Sequence, residues 1–94
     1  MTQAPVKDPD ARLDYGIDWS DFLLTTDGDT ITNAEWVDTP EDLTLEDAAL
    51  IDGHLHTAFV LGGTAGRVYR LTSRITTTQG RINDATLTLV CRET

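Results

Sequence analysis

Cysteine is almost missing from this chain of 94 residues: Cys91 stands alone, so no disulfide can close within it and a zinc framework of paired cysteines is excluded. A single cysteine near the end of an apolar stretch is expected to be a small buried residue. Long hydrophobic runs are missing too. None approaches the ~18 residues of a membrane span, and the N-terminus has neither the basic start nor the apolar core of a secretory signal. The expectation is a protein made and kept soluble, with no membrane partner. Cations are scarce: seven Lys and Arg face sixteen Asp and Glu, for a net charge of −9. Phosphate binding draws its affinity from clustered cations, so this balance argues against DNA or RNA as a direct partner.

The charge is unevenly placed. Residues 1–52 hold fourteen carboxylates against Lys7 and Arg12, a local charge of −12, whereas residues 53–94 hold five Arg against Asp84 and Glu93, a local charge of +3. An acidic surface keeps a protein soluble. It also suits an acidic face that meets a basic one on a partner or on another copy. The length implies one domain with a thin core, since only about 60 to 65% of the extended chain's area can be buried at this size. That leaves little room for a deep enclosed active site.

Helix signals are few. Thr39–Leu50 offers Thr39 as an N-cap, Pro40 at the first helical position, and Glu41 and Asp42 in the first turn. The same residues fit a turn followed by strand, and we favour that reading because the rest of the chain reads as β. Leu13, Tyr15, Ile17 and Trp19 fall on alternate positions, and Thr30–Val37 forms a second run. In His54–Leu61, the residues Leu55, Thr57, Phe59 and Leu61 share one face, opposite His54, His56, Ala58 and Val60. Gly62, Gly63 and Gly66 break the chain. Arg67–Thr76 then places Tyr69, Leu71, Ser73 and Ile75 on one face, and Ala85–Cys91 turns Ala85, Leu87, Leu89 and Cys91 inward. About six or seven short strands joined by Gly, Asp, Asn and Pro turns predict an all-β fold, an immunoglobulin-like antiparallel β-sandwich. Tyr69, at the start of the penultimate strand after a Gly-rich corner, stands where such sandwiches use a tyrosine hydroxyl to close the preceding loop. The expected organisation is an extended N-terminal arm over residues 1–10 and a sandwich over residues 11–94.

None of the short motifs points to catalysis. His54 and His56 have the spacing of two metal ligands on a strand, but no third ligand is fixed, so half-exposed polar residues are expected instead. Asp27-Gly28-Asp29 echoes the start of a calcium loop, yet Ile31 and a strand follow where further oxygen ligands would be needed, which predicts a turn. The glycine cluster at 62–66 lacks the Lys and the following Ser or Thr of a phosphate loop. Ser20 and Ser73 have no neighbouring histidine motif in the sequence, and Cys91 has no local signature. No cofactor is expected.

The combined segments "DPDARLDYGIDWSDFL", "DTITNAEW" and "GGTAGRVYRLTSRITTTQGR" resemble a family of small structural proteins of tailed bacteriophages, over residues 7–92. The matching positions include Asp14, Tyr15, Asp18, Trp19, Asp29, Thr30, Ile31, Trp36, Gly62, Gly63, Gly66, Tyr69, Ile75, Thr76, Thr77, Gly80 and Arg81, with Phe22 standing where the family often has Trp. The resemblance implies an immunoglobulin-like virion protein without enzymatic activity. Its expected role is capsid decoration: binding the major capsid protein and neighbouring copies of itself on the capsid exterior and stabilising the shell. A tail or head-to-tail joining protein is the alternative, and a module that binds a host surface glycan through exposed aromatics comes third. The arm is expected to be disordered alone and to order on a neighbouring subunit, with Pro5, Lys7, Asp8, Pro9, Asp10 and Arg12 making the contacts. Tyr15, Trp19, Trp36, Phe59 and Tyr69 are the expected structural core.

Overall fold

The computed structural model describes residues 6–93. Within them the alternating runs become seven strands: β1 (Val6–Lys7), β2 (Leu13–Asp18), β3 (Ile31–Val37), β4 (Leu43–Ile51), β5 (Leu55–Gly62), β6 (Val68–Thr77) and β7 (Ile82–Cys91). One short helix, α1 (Ser20–Leu24), follows β2. The strands form two sheets, one of four strands in the order β1-β7-β6-β3 and one of three in the order β2-β5-β4. Every pairing is antiparallel except β1 with β7, which is parallel. The sheets pack face to face as an all-β sandwich.

Period-two patterning decides what faces inward. In β6, Tyr69, Leu71, Ser73 and Ile75 are buried while Val68, Arg70 and Arg74 are exposed. Leu89 and Cys91 of β7 meet them from the same sheet, and Leu43 and Val60 from the other, with Tyr15, Trp36, Leu45 and Leu87 packed around this cluster. Each fully buried Leu or Val contributes about 1.5 to 3 kcal/mol relative to exposure, so a handful of such residues carries much of the stability of a domain this thin.

Two edges are interrupted. The β4 register slips between Glu46 and Ala49, where Asp47 takes a left-handed backbone with φ 52°, and β3 slips between Ile31 and Asn33. Bulges and charges at these edges discourage indiscriminate strand pairing.

The structure corrects three expectations. Residues 39–50 do form turn and strand, but α1 was not foreseen; five residues are too few to display a helical period. The inward face of β5 is His56, Ala58 and Val60, not the face of Phe59. Phe59 lies half-buried on the outer surface, under the Arg12 guanidinium at 3.9 Å from its ring centre. A strand cannot turn both sets inward, and His56 finds inside what a histidine needs, a hydroxyl partner and an aromatic face. The arm, third, is not wholly free of the domain. Val6 and Lys7 pair with Val90 and Cys91, and Lys7 is completely buried, its ammonium donating to the carbonyls of Asp8 and Gly62 at 2.8 and 2.7 Å. A side chain so placed is closed to a neighbouring subunit.

Candidate functional site

One end of the sandwich is a corner built around the β5–β6 connection. Gly63 there has φ 98°, and a Cβ on it would lie 3.1 Å from the Cys91 sulfur and 3.2 Å from the Leu43 side chain, so glycine is required for both backbone and space. The Tyr69 hydroxyl accepts the Thr64 N–H at 2.7 Å and donates to Asp42. Asp42 also accepts from the Thr64 hydroxyl at 3.1 Å and stands 3.8 Å from Arg67. The hydrogen bond from Tyr69, above all, holds the Asp42 carboxyl below the usual range.

A polar chain crosses the interior. The Trp19 indole donates to the Ser73 hydroxyl at 3.1 Å, and that hydroxyl shares a hydrogen bond of 2.6 Å with His56 Nδ1. Trp36 stacks on the His56 ring with centres 4.5 Å apart, and its own N–H reaches the Thr57 carbonyl at 3.3 Å. Burial pushes the His56 pKa down. This network ties the two sheets together through their middle.

The other end carries α1 and the connections 25–30, 52–54 and 78–81. Asp29 organises it. Its side chain is buried, and it accepts the N–H groups of Thr30 and Gln79 at 2.9 and 3.1 Å and the Arg81 guanidinium at 2.9 Å. Desolvation works against its charge, but the bonds from the Thr77 hydroxyl, Arg81, Gln79 and Thr30 outweigh it, so the pKa is lowered. Asp18 accepts the Ser20 N–H, one of the donors that a helix start leaves free, and sits 3.0 Å from His54. Phe22 turns back edge-on against Trp19, with ring centres 5.7 Å apart. At about 100° per residue, Leu24 then falls on the far side of α1. It is 82% exposed, and with Leu23, Ile31, Ser20, Gly53 and His54 it lines a largely apolar cleft.

The residues expected to contact a partner are not gathered into one site. Pro5 lies outside the described residues. Lys7 is buried. Asp8 accepts the Asp10 N–H at 2.8 Å and its carbonyl accepts the Ala11 N–H, which makes residues 8–11 a turn around Pro9. Arg12 is engaged with Glu46 at 3.1 Å, Asp47 at 2.7 Å and the Phe59 ring. Of the expected core, Trp19 and Tyr69 are buried, Trp36 and Tyr15 are half-buried, and the Tyr15 hydroxyl is shielded without a hydrogen-bond partner among the described residues. His54 and His56 do not share a face or a ligand set: one sits in a turn beside Asp18, the other inside the core. Among the described residues no group of His, Cys, Asp and Glu has the arrangement of a metal site. Leu24 and Asp42 were missed by sequence reasoning. An apolar pair inside an acidic loop was the available signal for Leu24, while nothing local marks Asp42.

These features define a small all-β structural module in which conspicuous polar side chains hold corners and sheets in place. Residues 7–90 match the family described as podophage GP4 fiber-tail adaptor protein gp77, and the chain belongs to that family. It is a bacteriophage structural protein. No curated protein matches it. The family, named for a fiber-tail adaptor, favours the tail-associated alternative over capsid decoration.

Proposed function

We propose that this chain is a non-enzymatic adaptor in the virion of a podophage, standing between a fibre and the tail, with other virion proteins as its partners and the tail as its location. The observation that carries this reading is the family match over residues 7–90. The fold is compatible with it, since polar side chains close both ends of the sandwich and an adaptor needs no deep cavity. The sandwich is proposed to be immunoglobulin-like: β2-β5-β4 and β3-β6-β7 follow the B-E-D and C-F-G arrangement of that fold, and the Tyr69 hydroxyl bonds to backbone five residues upstream, as a tyrosine corner does. The glycan reading loses support, since Trp19 and Tyr69 are buried, Trp36 is stacked on His56 and Phe59 is capped by Arg12.

The test is a phage deprived of this chain, with its particles viewed by electron microscopy. Filled heads with tails that lack fibres are expected, and gold-labelled antibody against the chain should mark the base of the fibres on intact virions. Label spread over the capsid shell would return the protein to decoration and overturn the adaptor reading.

A further inference from the structure

The outer face of the three-stranded sheet carries a pattern that the fold does not use. Asp14, Gly16 and Asp18 of β2 are exposed there, in register with the half-buried Phe59, Thr57 and Leu55 of β5. Gly16 leaves a gap between two carboxylates. A Cβ on it would lie 2.9 Å from the Thr57 methyl and 3.4 Å from a Leu55 methyl, so side chains of β5 lean into that gap and put apolar surface between Asp14 and Asp18. Ile51, 44% exposed and in register with Leu55, carries the apolar strip on to β4. The same face already holds one cation of its own. The Arg12 guanidinium lies 3.9 Å from the centre of the Phe59 ring, with Glu46 at 3.1 Å and Asp47 at 2.7 Å as its ion-pair partners. Along β2 the matching positions are open: Asp14 has no ion-pair partner among the described residues, and Asp18 has only His54.

We propose that Asp14, Gly16 and Asp18 form a docking strip for an extended basic segment of another virion protein, in which Lys or Arg, an apolar residue, and Lys or Arg stand on alternate positions. Alternate side chains of any extended chain are about 6.6 Å apart, so two such cations meet the two carboxylates while the residue between them rests on Thr57 and Leu55. Neither chain has to bend. Charge favours the encounter, because a protein of net charge −9 attracts a cationic partner and steers it to its acidic side. The chain itself does not carry such a segment. Among its Lys and Arg only Arg70 and Arg74 are four positions apart, and they stand within β6 with Thr72, not an apolar residue, between them. The occupant is therefore a different protein, and the proposal rests on the adaptor reading only in calling that protein part of the virion. Peptide binding to the purified chain tests the strip, whereas loss of fibres from depleted particles tests the adaptor role.

The probe is the peptide Gly-Ser-Arg-Thr-Leu-Thr-Arg-Ser-Gly, titrated into the isotope-labelled full chain and followed by NMR. Amide signals of residues 14–18 and 55–57 should move, with a Kd of about 1 mM or below at low salt that weakens as salt is raised. A peptide of the same composition with its two Arg adjacent should bind at least about fivefold more weakly. Asp14→Lys changes an exposed side chain, so the melting temperature should hold while affinity for the first peptide falls at least about tenfold. The charge swap is the decisive arm. Asp14→Lys should regain affinity for one of the two peptides in which a single Arg, the first or the second, is replaced by Glu. The proposal is overturned by the absence of binding at about 5 mM peptide, by equal binding of the two arginine peptides, or by a swap that restores nothing. Movement of these signals with protein concentration alone would also overturn it, since a second copy would then cover the strip.

Discussion

The corner end and the α1 end are closed by different means. At the corner, a buried ammonium, a phenol and a carboxylate bind backbone groups and one another, so Lys7, Tyr69 and Asp42 leave the chain little choice of path. At the α1 end, Asp29 gathers one connection from within, while α1 beside it sets the half-buried Phe22 edge-on against Trp19 and leaves Leu24 in solvent. The first end is fixed by polar satisfaction. The second combines a fixed turn with apolar surface that the chain leaves in solvent, and the contrast separates side chains that build the fold from side chains that do not.

The sharpest way to break this contrast is Trp19→Ala. Trp19 roots α1 and reaches Ser73 in the other sheet, so removing it should cost about 3 to 5 kcal/mol and unfold the whole sandwich cooperatively. Loss of α1 structure by hydrogen exchange, with an unchanged melting temperature, would show instead that this end is an appendage. Lys7→Met comes next: it leaves the Gly62 carbonyl without its donor, and about 1 to 3 kcal/mol of stability should go, measured by urea unfolding. Tyr69→Phe removes the hydroxyl that joins Thr64 to Asp42 and should cost about 1 kcal/mol, with loosening confined to residues near the β5–β6 connection.

Acid should act on the middle before it acts on either end. The folded-state pKa of His56 is lowered by burial, so the unfolded chain binds the proton more readily. The stability linked to His56 is therefore fully present above its ordinary value of about 6.5 and is lost as pH falls through the lower folded value. Asp42 and Asp29 are also lowered, and their contributions are present above the usual carboxylate range and lost only below it. Melting temperature followed from pH 8 to pH 3 should thus fall in two stages, and His56→Gln should remove the first. The smallest effect is expected for Leu24→Ser, within about 0.5 kcal/mol of the parent, since the side chain is mostly in solvent.

The two-sheet fold was legible because strand alternation is written residue by residue: β6 and β7 read inward and outward as they fold. β5 was not, because both of its faces carry apolar residues and the deciding partners, Ser73 and Trp36, come from the other sheet. The fate of Lys7 was equally hidden. A lysine beside an aspartate and a proline suggests a solvated arm, and only the parallel pairing with β7 puts Gly62 within its reach. The motif residues Asp29, Thr77 and Arg81 lie some fifty positions apart in sequence at their widest, and the structure joins them around one carboxylate. Leu24 became visible as a candidate contact only when α1 fixed which side of the chain faces water.

The parallel pairing of β1 with β7 bears on how the domain answers a mechanical load. The chain enters β1 at the Leu89 side of that pair and leaves β7 beyond Cys91, so tension applied through both flanking segments pulls the two strands past each other in shear. Their ladder bonds and the Arg92 N–H bond to the Lys7 carbonyl, 3.0 Å long, then resist together rather than opening one at a time. The buried Lys7 side chain acts as a pin across the same seam, since β1 cannot slide without drawing an ammonium away from the Gly62 carbonyl. In a force-extension measurement, Lys7→Ala should therefore lower the rupture force by a larger fraction than it lowers equilibrium stability.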